Sequence, residues 1–149
     1  MLAARLAALY AASPTVPSQS EIWALENWIM IEYSKIPCRV QYVNYDLDLP
    51  TTVKQYEKLG ALFISVAHNT HPYLCPWINA RFRAVHDWHH IQSGADSTLR
   101  GEIATFNVAK RTAPRTIWWL LFSEIALQAA ACIYHGSFQL QKTVRAGGF

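Results

Sequence analysis

The sequence predicts a mainly α-helical protein: one compact domain over residues 1–149, with about five helices and a small two-stranded β element. Three observations lead there. Apolar residues recur at three- and four-residue spacing along most of the chain, the period of a helix with one buried face. Proline, glycine and capping Ser or Thr residues cut that pattern into helix-length pieces. Only two short runs, CRVQYVNY at 38–45 and ALFISVA at 61–67, favour strand. A chain of 149 residues can also bury a real core without disulfide staples.

Residues 2–12 form an Ala-rich helix with Leu2, Leu6 and Leu9 on one face, ended by Ser13-Pro14. Ser18 or Ser20 caps a second helix, with Glu21 in its first turn, where the dipole favours a carboxylate. It runs to about Ser34 with Ile22, Leu25, Trp28, Ile29 and Glu32 inward, and Ile36-Pro37 closes it. The strand at 38–45 follows, then a turn to Pro50. Thr51 or Thr52 caps a short helix over 53–59, stopped at Gly60. The apolar run 61–67 suits a buried strand paired with the first, and two strands need helices packed on them to be stable. Residues 68–76, with two prolines and no period, are a loop.

The next helix carries the densest chemistry. Ile78, Phe82, Val85 and His89 fall on one stripe, and Asn79, Arg83, His86 and His90 on the neighbouring one. After a loop at 93–98, Ser97 or Thr98 caps a helix over 102–111. Pro114 opens a last long helix reaching about Gln141, and the tail at 146–149 is expected to be loose.

Composition excludes more than it assigns. Hydrophobic residues make up 52% of the chain and charged ones 15%, with six Trp, seven Tyr and six Phe. That implies a ring-rich core, or an aromatic surface that meets a partner. A net charge of +3 permits contact with nucleic acid or acidic lipid without arguing for either. Cys38, Cys75 and Cys132 lie far apart and are odd in number, so no disulfide framework or zinc knuckle is indicated and a reducing, cytoplasmic setting is expected. The start of the chain only loosely imitates a signal peptide. Segment 116–136 approaches a bilayer span, but Glu124 and Gln128 near its middle oppose insertion, so no membrane partner is expected.

His86 and His90, four apart on one helix, can ligate one metal, as in zincins. Asp87 stands where that motif has Glu, one methylene too short for the same reach, with Asp96 at a third-ligand spacing. The His86-Asp87 step also suits metal phosphohydrolases, whose other ligands have no match here. Glu102, in the first turn of its helix, can serve the dipole or fold back onto the histidines. Two imidazoles and a carboxylate suit Zn, Fe or Mn. Glu124, Gln128 and His135, at spacings of four and seven, share a face of the last helix and could contribute. His68, His71 and Cys75 make a loop cluster with the spacing of a partial zinc site, although such a loop is usually only a loop. Arg81, Arg83, Arg100, Lys110, Arg111 and Arg115 could form a basic rim near Trp77 and Trp88, against scattered solvated charge as the plainer account.

At these residues the chain resembles a family of uncharacterised helical domains encoded by bacteriophages and prophages, often inside large multidomain phage proteins. The shared run is Phe82-Arg83-Ala84-Val85-His86-Asp87, then His89-His90, Gly94 and Arg100-Gly101-Glu102, preceded by His71-Pro72 and Asn79. The likeness covers 79–102 well and 33–102 loosely. This chain differs in having His89 for a Gly, a one-residue deletion beside it and its own C-terminal third, so Glu124 and His135 lie outside it. The resemblance implies phage origin and supplies no activity.

These observations favour a small metal-dependent hydrolase in which His86, His90 and Glu102, with Glu124 and His135 as possible contributors, bind a divalent ion (Zn, Fe or Mn). Asp87 would orient a histidine or act as base, and Arg83 and Arg100 would hold an anionic small-molecule or nucleic-acid substrate. The competing expectation is a non-enzymatic phage accessory protein that binds a host protein or nucleic acid, its His-Asp-Glu cluster only fixing helix packing. For a phage-encoded protein the compartment would be the cytoplasm of the infected cell.

Overall fold

The structure, a computed structural model, describes residues 1–147. Within them lie six helices and one two-stranded sheet: α1 (Leu2–Tyr10), α2 (Gln19–Ser34), β1 (Arg39–Val43), α3 (Leu49–Leu59), β2 (Ala61–Ser65), α4 (Pro76–Ser93), α5 (Leu99–Lys110) and α6 (Arg115–His135). The mainly helical architecture with one β pair is as expected from the sequence. The strands pair in parallel, Val40 opposite Leu62 and Tyr42 opposite Ile64, because α3 occupies the connection and returns the chain in the same direction. Leu62 and Ile64 are buried with Ala84 of α4, which supplies the helical cover such a small sheet needs.

The main core forms where α2, α4, α5 and α6 meet. Leu25, Trp28 and Ile29 of α2 pack with Ile78, Phe82 and Val85 of α4, Phe106 and Ala109 of α5, and Leu120, Leu121 and Ile125 of α6. The apolar stripe predicted on α4 therefore faces inward, His89 included, at 3% exposure. Ser18 caps α2 through a reciprocal pair of bonds with Glu21, satisfying two backbone N–H groups at that end.

Several boundaries differ from expectation. Asp48, not a threonine, caps α3 by accepting from the Thr51 N–H, so the helix starts at Leu49 and takes Pro50 into its first turn. On α1, Leu6, Ala7 and Tyr10 are buried, whereas Leu2 and Leu9 are exposed. The buried face is selected by docking onto α6, and the Tyr10 hydroxyl fixes it by donating to Leu140 O (2.9 Å) and accepting from Lys142 N–H (3.1 Å). Helix α6 ends at His135, because Gly136 adopts a left-handed conformation (φ 68°) that terminates the ladder before Gln141. The chain then returns as an extended strap: Thr15 N–H donates to Thr143 O (2.8 Å) and Val144 N–H to Ser123 Oγ (2.9 Å), burying Val144 and Ala146. Residue 146 is thus held rather than loose; the same expectation for Gly148 and Phe149 lies outside the described residues.

Helix α6 is long and apolar enough to cross a membrane by length and composition, and 56% of its most apolar stretch is buried inside the fold. Its middle, Phe122–Leu127, is a π-helical segment. Such a wide turn accommodates an extra residue and rotates the N-terminal half of the helix against the C-terminal half. Glu124, Gln128 and His135 do not share one environment: the Glu124 side chain is buried, whereas His135, the last residue of the helix, is exposed.

The α4–α5 junction sets the position of the candidate site. Gly94 ends α4 in a left-handed conformation (φ 65°), and the side chain of Thr98 caps α5 by accepting from Gly101 N–H (3.2 Å). The first turn of α5 lies so close to the loop that a Cβ on Gly101 would stand 1.9 Å from Asp96 O. That oxygen is backbone and cannot swing aside. Gly101→Ala is expected to destabilise the protein by about 1–3 kcal/mol or more through overpacking, measured by urea unfolding. Gly94→Ala, which meets no atom within 4 Å, should cost only the ~1 kcal/mol of its backbone conformation.

Candidate functional site

His86 and His90 stand one turn apart on α4, beside the stripe that enters the core, and Glu102 faces them from the first turn of α5. His86 Nε2 lies 3.0 Å from Glu102 Oε2, and His90 Nε2 lies 3.4 Å from the same oxygen. The imidazoles meet edge to face at 4.6 Å. The candidate ligand atoms of the three residues all lie within 4.8 Å of one another, and they are the one such group of three or more among the described residues. Tetrahedral bonds of about 2.1 Å place ligands about 3.4 Å apart, so the cluster needs only small shifts to enclose a divalent ion. The His90 side chain is fully buried, Glu102 is 11% exposed and His86 25%, so the cluster opens to solvent at His86.

The proton on His90 can be placed. Its Nδ1 faces the Ala95 carbonyl at 3.1 Å, and that oxygen can only accept. The Thr105 hydroxyl stands 3.2 Å from the same nitrogen and already donates to Gly101 O (2.9 Å). Nδ1 therefore carries a hydrogen, and Nε2, 3.4 Å from Glu102 Oε2, makes no hydrogen bond among the described residues. A buried imidazole nitrogen beside a carboxylate calls for a proton or a cation between them. A backbone carbonyl on the far nitrogen is also the arrangement that fixes metal-ligating histidines.

Burial would raise the Glu102 pKa, but the His86 hydrogen bond and the two neighbouring imidazoles more than offset it and hold the carboxyl at about 2. Burial would lower the His86 pKa, but the carboxylates of Asp87 and Glu102 outweigh it and bring the imidazole to about 10. Asp87 Oδ1 lies 3.8 Å from His86 Nδ1, beyond hydrogen-bond length, with its side chain about a quarter exposed at the open side of the cluster.

The other candidates lie elsewhere. Glu124 belongs to a separate clasp. His71 Nδ1 accepts from the Tyr73 and Leu74 N–H groups, so Nε2 carries the proton and donates to Glu124 Oε1 at 2.8 Å. Tyr73 Oη and Gln141 Nε2 complete the shell of that carboxylate at 3.1 and 3.2 Å. Glu124 is thus saturated by protein donors and is not a ligand of the trio; the π turn and the loop 68–76 carry it there. His135 is exposed at the end of α6, with its ring against Tyr134, and is not a ligand either. Arg83 spends its guanidinium on three carbonyls, Ser65 O, Ala67 O and His68 O at 2.9–3.0 Å, pinning the end of β2 rather than facing the cluster. Arg100 is exposed and forms no ion pair among the described residues. Asp96 caps Thr98 (Oδ1 to N 3.1 Å), and Cys75 is the exposed residue preceding α4, so neither joins a metal group.

Sequence reasoning missed the partners of His90. Ala95 acts through its carbonyl, which no residue type reveals, but Thr105 lies three residues after Glu102 on the same face of α5 and could have been found by that spacing. It also missed the pair of His89 with Glu32, 3.5 Å apart in the core. There desolvation outweighs the carboxylate and holds His89 near a pKa of about 4, so it is neutral at pH 7.

Compared with family models, curated proteins and solved structures, the chain matches none. Fold and site together define a small helical domain with a half-buried cluster of two imidazoles and one carboxylate that can hold a metal ion.

The metal-free protein has a defined pH dependence. His86, raised from 6.5 to about 10, contributes stability that is complete below pH 6.5 and lost as pH rises through 10. Glu102, lowered from 4.5 to about 2, contributes stability that is complete above pH 4.5 and lost as pH falls through 2. The pair is thus strongest between about pH 4.5 and 6.5. Thermal unfolding of chelator-treated protein should show Tm declining above pH 6.5, and His86→Gln should flatten that decline.

Proposed function

We propose that the protein binds one divalent cation (Zn, Fe or Mn) through His86, His90 and Glu102, and that it is a small metal-dependent hydrolase acting on an anionic substrate. The observation that carries this reading is the convergence of the His86, His90 and Glu102 ligand atoms within 4.8 Å, with the buried His90 Nε2 making no hydrogen bond among the described residues. Three protein ligands with one open side also match the pattern of reactive metal sites, whereas structural sites are closed by a fourth ligand. A divalent ion held there supplies Lewis acidity toward a water or an anionic oxygen.

The chain's own groups divide the remaining work. Ala95 O and Thr105 Oγ1 hold His90 in one tautomer, and Glu102 supplies the charge that neutralises the ion. Asp87, on the open side, accepts a proton or steadies His86. Arg100, exposed and two residues before Glu102, is available to an anionic group. The likeness of 79–102 to phage-encoded domains supports a phage origin, with the cytoplasm of the infected cell as the compartment.

A second reading has its own observation. His86 and Glu102 are already at hydrogen-bond distance, so an imidazolium–carboxylate pair can lock α4 to α5 without any ion. The protein is then an accessory factor that binds a host protein or nucleic acid. That reading satisfies His86 but leaves His90 Nε2 without a hydrogen bond at 3.4 Å from Glu102, which is why the metal reading is preferred.

Elemental analysis of purified protein separates the two. The metal reading expects about one equivalent of Zn, Fe or Mn, abolished by His90→Ala, sharply reduced by Glu102→Gln and released as pH falls and the imidazoles protonate. Hydrolysis of p-nitrophenyl phosphate esters should follow metal content. Background metal in wild type, together with a His90→Ala variant that loses only stability, would establish the structural reading instead.

A further inference from the structure

Helix α4 carries a second chemistry on another face. A helix turns about 100° per residue, so Trp77 and Arg81 point away from His86 and His90. They line a crevice of about 320 Å3 with Tyr42, Asn69, Pro76 and Ala80. The Arg81 guanidinium carbon stands 4.4 Å from the centre of the Trp77 ring and 5.0 Å from that of Tyr33, so the cation is held against two aromatic rings. Tyr42 braces Tyr33 through a 3.2 Å hydroxyl contact.

What the guanidinium lacks is an anion. Among the described residues its one hydrogen bond is from Nη1 to Trp77 O at 3.3 Å, the buried Nε has no acceptor, and no carboxylate pairs with it. Trp77 meanwhile leaves 54% of its surface in solvent. Asn69 gives one N–H to Pro76 O and takes one from Asn79, which leaves a second amide hydrogen and a second lone pair for a ring edge. The crevice lies at the N-terminal, positive end of α4.

We infer that this crevice binds a nucleotide unit: a planar base stacked on Trp77, its edge read by Asn69 and its phosphate held by Arg81. An indole stacks on any base through the ring face that Arg81 leaves open, and the unspent Nη–H groups of a positioned guanidinium are phosphate donors. The volume suits one nucleotide, either free or at one position of a single strand. The inference uses residues outside the metal cluster and does not rest on the metal reading.

The test is titration of the full-length protein with AMP and, separately, with a short oligothymidylate. Binding is followed by calorimetry and by the indole N–H resonance assigned to Trp77 through Trp77→Phe. Saturable binding is expected, weakened about tenfold or more by Trp77→Ala and by Arg81→Gln, with His90→Ala binding as wild type. Arg81→Lys, which keeps the charge but loses the flat fork, should weaken it as well, and thermal unfolding verifies that each variant is folded. Tighter binding of the oligonucleotide per site identifies a single strand as the source, and equal binding a free nucleotide. Absence of saturation with both probes overturns the inference. So does binding that inorganic phosphate displaces as well as AMP, or that is lost in His90→Ala and kept in Arg81→Gln.

Discussion

The approach of the first turn of α5 to the loop leaving α4 governs the rest of the site. Because Gly101 has no side chain, its backbone rests on Asp96, and Glu102 is delivered to within hydrogen-bond reach of two imidazoles one turn apart. The same contact puts the Ala95 carbonyl and the Thr105 hydroxyl on the far side of His90. One steric constraint thus sets the ligand geometry and the tautomer together. Without it, Glu102 would be an ordinary acidic residue serving the positive end of its helix.

The site tolerates this concentration of polar groups because the surrounding fold isolates them in separate networks. His89, one residue from the cluster, turns into the core and stays neutral beside Glu32. Glu124 and His71 form a closed clasp that joins the 68–76 loop, α6 and the returning C-terminal strap. Each of these carboxylates has protein partners, and a buried charge is stable only on that condition. Among the described residues one buried imidazole nitrogen is left over in the trio, His90 Nε2, and one in the His89–Glu32 pair, His89 Nδ1; only the trio brings three ligand atoms together.

Helix α4 is therefore used on three sides. One stripe closes the core, a second holds the imidazoles, and its N-terminal turns offer an aromatic and cationic crevice to solvent. The crevice and the metal cluster share a rigid 18-residue helix but no side chain, so each can be altered without touching the chemistry of the other.

The sequence by itself determined the helical class, most element positions, the pairing of the two strands into a β element and the convergence of His86, His90 and Glu102. Local rules suffice for these: helical period, caps, β-branched runs, and a loop short enough to fold one helix back on another. Tertiary structure alone decided the fates of Glu124, His135 and Arg83. The 68–76 loop and the C-terminal strap took Glu124, the helix end left His135 in solvent, and the carbonyls at the end of β2 took the guanidinium before any substrate could. The face that α1 buries was likewise set by docking rather than by its leucines. The physical reason is the same in each case. Spacing along one helix fixes which side chains are neighbours, whereas the partner that satisfies a buried polar group comes from whichever distant segment packs against it, and no local pattern encodes that choice.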